Sequence, residues 1–437
     1  MFKHLLPLLG ERAVQMIATL LGTILLARHL SPAEFGHYQY AVGLTTMMMV
    51  VVGMGLAPVV KRRVLRESGT CSRMIYQATA LRLGCGLLLY TIIIAAASLS
   101  RNETDWVLVI VSFALFREVL VVVDLWFQVN QRYIYPAGAS IAAAIFGFVL
   151  KCWGVVSGKE ILFFAYAYVF EVLLFGGLLW FFYRIQSGDW PLGNISLKRM
   201  RLLLAESWPV WISGLSVVIY MRIDLVMLKM MVDDEQVAYF ACASRLTEVS
   251  FVLPNILAML VFPLLRIHEN DQRRLSRFME GYISASFYMA CGLGVLYSVF
   301  AVGLIPVVFG NSYSASIHSF VVLLISLPIV SLGVARGQYL TFWGRLKPLL
   351  PISISGALLN VLLNWLLIPY YGIVGAAWAS VASQLYTSIL SGILFSSLFQ
   401  IFSAQIAAPF RFGAILYFLS NLSHSTEEEN LQSGKLE

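Results

Sequence analysis

The sequence predicts an all-α polytopic membrane protein: about twelve transmembrane helices in two six-helix bundles, related by a parallel pseudo-two-fold repeat around a central cavity. Three observations predict it. First, 59% of the 437 residues are hydrophobic and 12% are charged, and the mean hydropathy is +0.80, far outside the range of soluble globular chains. Second, apolar runs of roughly 20 residues, the length a helix needs to cross a hydrocarbon core about 30 Å thick, recur from Leu5 to Gln400. The ten-residue alternation of an outer-membrane barrel is missing. Third, the chain repeats itself. Arg28 … Glu34-Phe-Gly-His-Tyr38 and Lys229 … Glu235-Gln-Val-Ala-Tyr239 fall in register, and the spans that follow end in Pro58-Val-Val-Lys61 and Pro263-Leu-Leu-Arg266. Each copy holds six spans, an even number, so both halves share one orientation about an axis along the membrane normal.

Cutting at polar clusters and turn formers starts the spans near Leu5, His37, Met74, Trp106, Tyr135, Ile161, Trp208, Val237, Gly281, Phe320, Leu349 and Ile373. The first resembles a signal peptide, but Glu11 and Arg12 interrupt its apolar region and no small-residue cleavage site follows, so it is expected to stay. Ser207 before Trp208-Pro209 has the form of an N-cap with proline in the first turn, which starts the seventh span there. The domains expected are 1–184, a six-helix bundle; 185–207, a cytoplasmic linker; 208–400, a second six-helix bundle; and 401–437, an interfacial and disordered tail. Loops after even-numbered spans hold the Lys and Arg clusters, such as Lys61, Arg62, Arg63 and Arg66, or Arg273, Arg274 and Arg277. Basic loops stay in the cytoplasm, which places both termini inside. The net charge of +7 is therefore a topology signal, and nucleic acid is not an expected partner.

No Walker A sequence, strand-linked GxGxxG or metal-spaced His set is present, and the five cysteines show no CxxC pairing. No enzyme chemistry, cofactor or metal is expected. What stands out is charge inside apolar spans, where each such residue costs about 2.5–3.5 kcal/mol on insertion scales. Arg222 and Asp224 lie near the middle of Trp208 to Met231, two residues apart, and so point to different sides of the helix. Glu11, Arg12, Arg82, Arg117, Glu118, Asp124, Lys151, Glu171, Arg245 and Glu248 complete the set, while spans nine to twelve contribute mostly neutral groups such as Asn360, Asn364 and Gln384. Guanidinium and ammonium groups at that depth suit an anion. Each also has a structural alternative, an ion pair between helices, and Arg245 with Glu248, three apart on one face, can pair locally.

The run Asn360-Val-Leu-Leu-Asn364-Trp-Leu-Leu-Ile-Pro369-Tyr-Tyr-Gly372-Ile-Val-Gly375-Ala-Ala resembles a signature of the polysaccharide transporters in the multidrug, oligosaccharidyl-lipid and polysaccharide exporter superfamily. Ile219-Tyr-Met-Arg222-Ile-Asp224, Arg245-Leu-Thr-Glu248, Phe262-Pro263 and Phe309-Gly310 are similar to its O-antigen flippase branch. The resemblance implies alternating access by two bundles, moving an undecaprenyl-diphosphate-linked oligosaccharide from the cytoplasmic to the periplasmic leaflet of a bacterial inner membrane. On that reading Arg222, Arg117, Arg245, Lys151, Arg82, Asn360 and Asn364 meet the substrate. Asp224, Glu248, Glu118, Asp124 and Glu171 carry ion coupling, and the expected partners are the lipid-linked sugar, membrane lipids, and the polysaccharide polymerase and chain-length machinery. A multidrug antiporter, a lipid II flippase or a non-transporting scaffold for polysaccharide assembly are the alternatives.

Overall fold

The computed structural model describes residues 2–66, 71–100, 105–187, 195–267, 271–395, 398–407 and 410–420. Among these residues every regular element is helical. Eleven segments are long and apolar enough to cross a membrane. One of them, Leu349–Leu394, has 46 residues, which as a straight helix would reach about 69 Å, more than twice a hydrocarbon core. It folds back instead. Gly372, shortly after Pro369, takes φ 54° and ψ −130°, a conformation closed to residues with a Cβ. The Asn360 amide then donates to the Ser383 hydroxyl at 3.1 Å across 23 residues of sequence. Spans eleven and twelve form an antiparallel hairpin, and the described crossings number twelve.

The starts of two spans differ from the expectation. Span seven begins at Leu197, not Trp208, and Pro209 lies inside the helix. Span nine begins at Gln272, well before Gly281. Both extensions are basic and amphipathic, so they resemble loops in a hydropathy profile, yet Leu203 and Phe278 are fully buried on their apolar sides. The expected linker thus contains the first turns of span seven, while 188–194 and the tail beyond 420 lie outside the described residues. The nearer tail forms two short helices, Phe399–Ala407 and Phe412–Ser420, bent by 103°. Each is about 13 Å long, too short to cross by itself.

Contacts divide the chain into two compact units, Met1–Cys242 with Pro306–Ser314, and Ala243–Ile305 with Ala315–Glu437. In the first unit, Leu56 and Val60 of span two, Ile75 and Ala78 of span three, Val122 and Phe127 of span four and Leu179 of span six make one core. Span seven lies along span two, with Leu225 seated against Gly43. The boundary between the units falls after Cys242, later in the chain than the division after residue 184 expected from the sequence. In the second unit Phe278, Tyr282, Val261, Leu332 and Ile401 pack with Phe418 of the tail. Lipid tails are as apolar as these side chains, so close dispersion contact and polar bonds hold such cores more than water exclusion does.

The repeat has local structural counterparts. Span one ends at His29 and span two starts at Pro32, and span seven ends at Met231 with span eight starting at Asp234: a two-residue link in both places. Ser31 and Glu34 close a capping box, while Asp233 caps the later helix by accepting from the Gln236 N–H at 2.8 Å. The second span of each copy is also broken midway, at Met54-Gly55 (φ 49° and 59°) and at Phe251. Where the two links meet, span two presents Gly36 to the Asp234 carbonyl, and a Cβ there would lie 1.7 Å from that oxygen. A backbone oxygen cannot rotate away as a side chain can. Gly36→Ala is therefore expected to destabilise the protein by about 1–3 kcal/mol, read as a lower unfolding temperature in detergent, with Gly36→Val worse; an unchanged unfolding temperature would contradict this packing.

Candidate functional site

Span four is irregular where its charges lie. It runs as α-helix over Asp105–Ser112, tightens to 3₁₀ over Phe113–Phe116, and makes one α turn over Arg117–Leu120. It tightens again over Val121–Val123 and resumes from Asp124. Mid-helix 3₁₀ segments mark strain or hinge points, and the turn between them carries Arg117 and Glu118.

Two guanidinium groups share the Glu118 carboxylate. Arg82 of span three is 5% exposed; it donates to the Glu118 backbone carbonyl at 2.7 Å and lies 3.6 Å from the carboxylate. Arg117 donates to the same carboxylate at 3.3 Å. The three groups together are one positive charge in excess. Arg117 keeps 36% of its side-chain surface accessible and rests 5.5 Å from the Phe175 ring. Among the described residues only one of its five N–H donors is engaged. A guanidinium facing lipid tails would be costly.

Tyr168 of span six joins this group to the rest. It stands within electrostatic reach of Arg117, Glu171 and Arg222, beside Thr46 of span two, whose hydroxyl donates to the Val42 carbonyl at 2.7 Å. Arg117 and Arg222 thus act on one tyrosine from two spans. Asp224 is buried on span seven and Arg222 is half-buried, on different sides of the helix as their spacing requires. On the other side of Arg117, the Gln128 amide donates to Asp124 at 2.8 Å and Lys61 donates to Gln128 at 3.2 Å. Asp124 also feels Arg117 and Lys61, and Glu11 lies within its reach. Lys151 of span five is 2.7 Å from Glu171, so those two meet each other directly.

The structure therefore assembles Arg82, Arg117, Glu118, Asp124, Arg222 and the Lys151–Glu171 pair around spans two to seven. Arg245 and Glu248 belong to the second unit and pair at 3.2 Å along their own helix. Asn360 and Asn364 are fully buried. The Asn364 amide donates to the Asn360 backbone carbonyl at 3.0 Å and to its side-chain oxygen at 3.1 Å, so in this conformation Asn360 joins the two arms of the hairpin and Asn364 bonds back to Asn360 along its own helix.

Several polar residues escape a hydropathy reading. Tyr168 and Thr46 carry no charge and reveal themselves only through their neighbours. Arg336 of span ten is 6% exposed and donates to Ser391 at 2.8 Å; the cost argument applied to Arg222 finds it too, as a lone charge in an apolar run. His37 is 5% exposed, 3.6 Å from Asp234, which also accepts from Lys229. No set of three His, Cys, Asp or Glu side chains converges as a metal site among the described residues.

Twelve crossings, with charged side chains gathered in spans two to seven, define a multi-span membrane protein, and solved structures share the fold. Lipid II flippase MurJ in an inward closed conformation aligns at a TM-score of 0.72 and 14% identity, over 96% of this chain and 93% of that one. An inward-facing multidrug resistance MATE family transporter of the MOP superfamily aligns at 0.68 and 16%, over 92% and 96%. The chain matches the family described as polysaccharide biosynthesis protein over residues 8–268, more than half its length, and it belongs to that family; the motifs around Arg222, Arg245 and Phe262 lie within the match, and the run Asn360–Ala377 lies beyond it. A putative O-antigen transporter of Shigella dysenteriae is 28% identical over 204 residues, 44% of this chain and 48% of that protein. A probable low-salt glycan biosynthesis flippase, Agl15 of Haloferax volcanii, is 23% identical over 206 residues, 46% and 43% respectively. The chain spans about half the length of the curated relatives it matches.

Proposed function

We propose that this protein is a flippase. It carries an undecaprenyl-diphosphate-linked oligosaccharide, an O-antigen repeat unit, from the cytoplasmic to the periplasmic leaflet of a bacterial inner membrane by alternating access, coupled to an ion gradient. The observation that carries this reading is Arg117: a mid-span guanidinium, accessible over a third of its surface, with a second arginine already sharing the Glu118 carboxylate that it bonds. A diphosphate offers several oxygens to such a group, and charge-assisted bonds to phosphate are strong where water is scarce. The relatives named as an O-antigen transporter and a glycan flippase support the choice of substrate.

In this mechanism Glu118 stands in for the substrate when the site is empty. Its single 3.3 Å bond to Arg117 is exchanged for phosphate contacts, while Arg82 stays on the Glu118 backbone carbonyl and keeps the turn in place. Arg222 meets the same head group from span seven. Asp224, Asp124 and Glu171 balance its charge and carry the coupling ion; a carboxylate near two arginines and a moving dianion changes its proton affinity during the cycle. Lys151 holds Glu171, Arg245 and Glu248 hold each other, and Asn360 and Asn364 serve helix packing. The lipid tail stays in the bilayer. Basic loops after even-numbered spans place both termini in the cytoplasm, and the polymerase and chain-length machinery receive the product.

A multidrug antiporter would need acidic and aromatic contacts for cations, and the one excess positive charge of the Arg82–Arg117–Glu118 group opposes that. The test is complementation of a strain lacking its own O-antigen flippase, with chemical analysis of the surface glycan. Restored glycan of the host's composition supports the reading; no glycan at normal protein level, together with gained drug resistance, overturns it.

A further inference from the structure

Away from the charged cluster, the second unit holds a cavity of about 330 Å³ between the start of span nine, the end of span ten and the tail helix. Its walls are tied together. Arg411 of the tail bonds Glu280 of span nine, the Tyr339 hydroxyl of span ten donates to Gln400 at 3.2 Å, and Phe418 is 1% exposed in the core against Phe278 and Tyr282. The cavity is thus a fixed feature, of a size that takes a small ligand group.

Its chemistry is two-sided. The apolar side is Met279, Ile283 and Ile401, and the polar side is Arg345, Arg411, Ser276 and Ser403. Glu280 neutralises Arg411, but Arg345 has no carboxylate partner among the described residues, so the lining carries an excess positive charge. Gly344, at φ 63°, ends span ten, and the Arg345 N–H bonds back to the Leu340 carbonyl at 2.9 Å, which fixes where that guanidinium starts. The neighbouring basic residue Arg274 is already occupied. It lies 3.2 Å from Asp271, whose carboxyl is held below the usual carboxylate range by the backbone N–H groups of Arg274 and Arg273.

We propose that this cavity binds the phosphate-bearing head group of an anionic phospholipid, with Arg345 on the phosphate, the serine hydroxyls on the glycerol and an acyl chain along Met279, Ile283 and Ile401. The shared chemistry is a phosphate mono-ester or diester; the apolar wall selects the lipid over a free anion. This assignment uses only the second unit and stands whether or not the flippase reading does.

The test is native mass spectrometry of the delipidated full-length protein offered phosphatidylglycerol, phosphatidylcholine or inorganic phosphate. Phosphatidylglycerol is expected to be retained about tenfold better than phosphatidylcholine, with Arg345→Gln removing most of the preference and Arg345→Lys keeping part of it. Arg184→Gln, the same charge change at an exposed site, is expected to leave it intact. Met279→Trp, which fills the apolar side without altering charge, is expected to exclude the lipid, so the proposal remains testable if Arg345→Gln fails to fold. Equal retention of both lipids, wild-type retention by Arg345→Gln or Met279→Trp, or an equal loss in Arg184→Gln would each overturn the site. Displacement of phosphatidylglycerol by millimolar inorganic phosphate would overturn the lipid as its occupant.

Discussion

Arg117→Ala is expected to lower surface glycan at least about tenfold in the complementation strain, with protein level and membrane insertion unchanged. Losing charge-assisted bonds to a phosphate at a water-poor site removes roughly 1.5–3 kcal/mol, which is about ten- to a hundredfold in binding. Arg117→Lys should recover only part of the loss, because an ammonium keeps the charge but not the planar fork that grips two phosphate oxygens. Arg222→Ala should act in the same direction through the same head group. Because both arginines are assigned to one head group, the double variant is expected to fall short of the product of the single losses, as coupled residues do. Wild-type glycan from Arg117→Ala at normal protein level would remove the residue from the site.

Glu118→Gln is expected to destabilise the protein by about 3 kcal/mol, the lower end of the cost of breaking a buried ion pair. The stranded group is Arg82, whose side chain is 6% exposed and would keep its bond to the residue-118 carbonyl but lose its counter-charge. If that is the reason, Arg82→Met combined with Glu118→Gln should regain most of the lost stability, since an apolar side chain of similar length needs no partner. Unfolding temperature in detergent for the two single variants and the double one measures this directly. Additive losses would mean that Arg82 and Glu118 do not depend on each other.

The twelve crossings were legible because bilayer thickness dictates run length, and even the hairpin at Gly372 shows in the sequence as Pro369-Tyr-Tyr-Gly372. Span starts at Leu197 and Gln272 were hidden, because basic amphipathic turns resemble loops until the core that buries Leu203 and Phe278 is known. The breaks at Met54-Gly55 and Phe251 each fall in the turn before a proline, Pro58 and Pro254, whose missing N–H interrupts the helix there. In the site, the residue types were legible from their cost, and the Arg245–Glu248 pair from its spacing of three. Which arginine meets which carboxylate was not. Arg82 and Glu118 are 36 positions apart, and only the packing of span three on span four shows that two arginines share one acid.

That shared acid is the centre of the account, and reconstitution addresses it most directly. Purified protein in vesicles, given a fluorescent undecaprenyl-diphosphate oligosaccharide on one leaflet, is predicted to move it across, to move a neutral analogue lacking the diphosphate at least about tenfold more slowly, and to lose this preference in Arg117→Ala. Equal movement of the charged and neutral lipids by the wild-type protein, or an undiminished preference in Arg117→Ala, would contradict it.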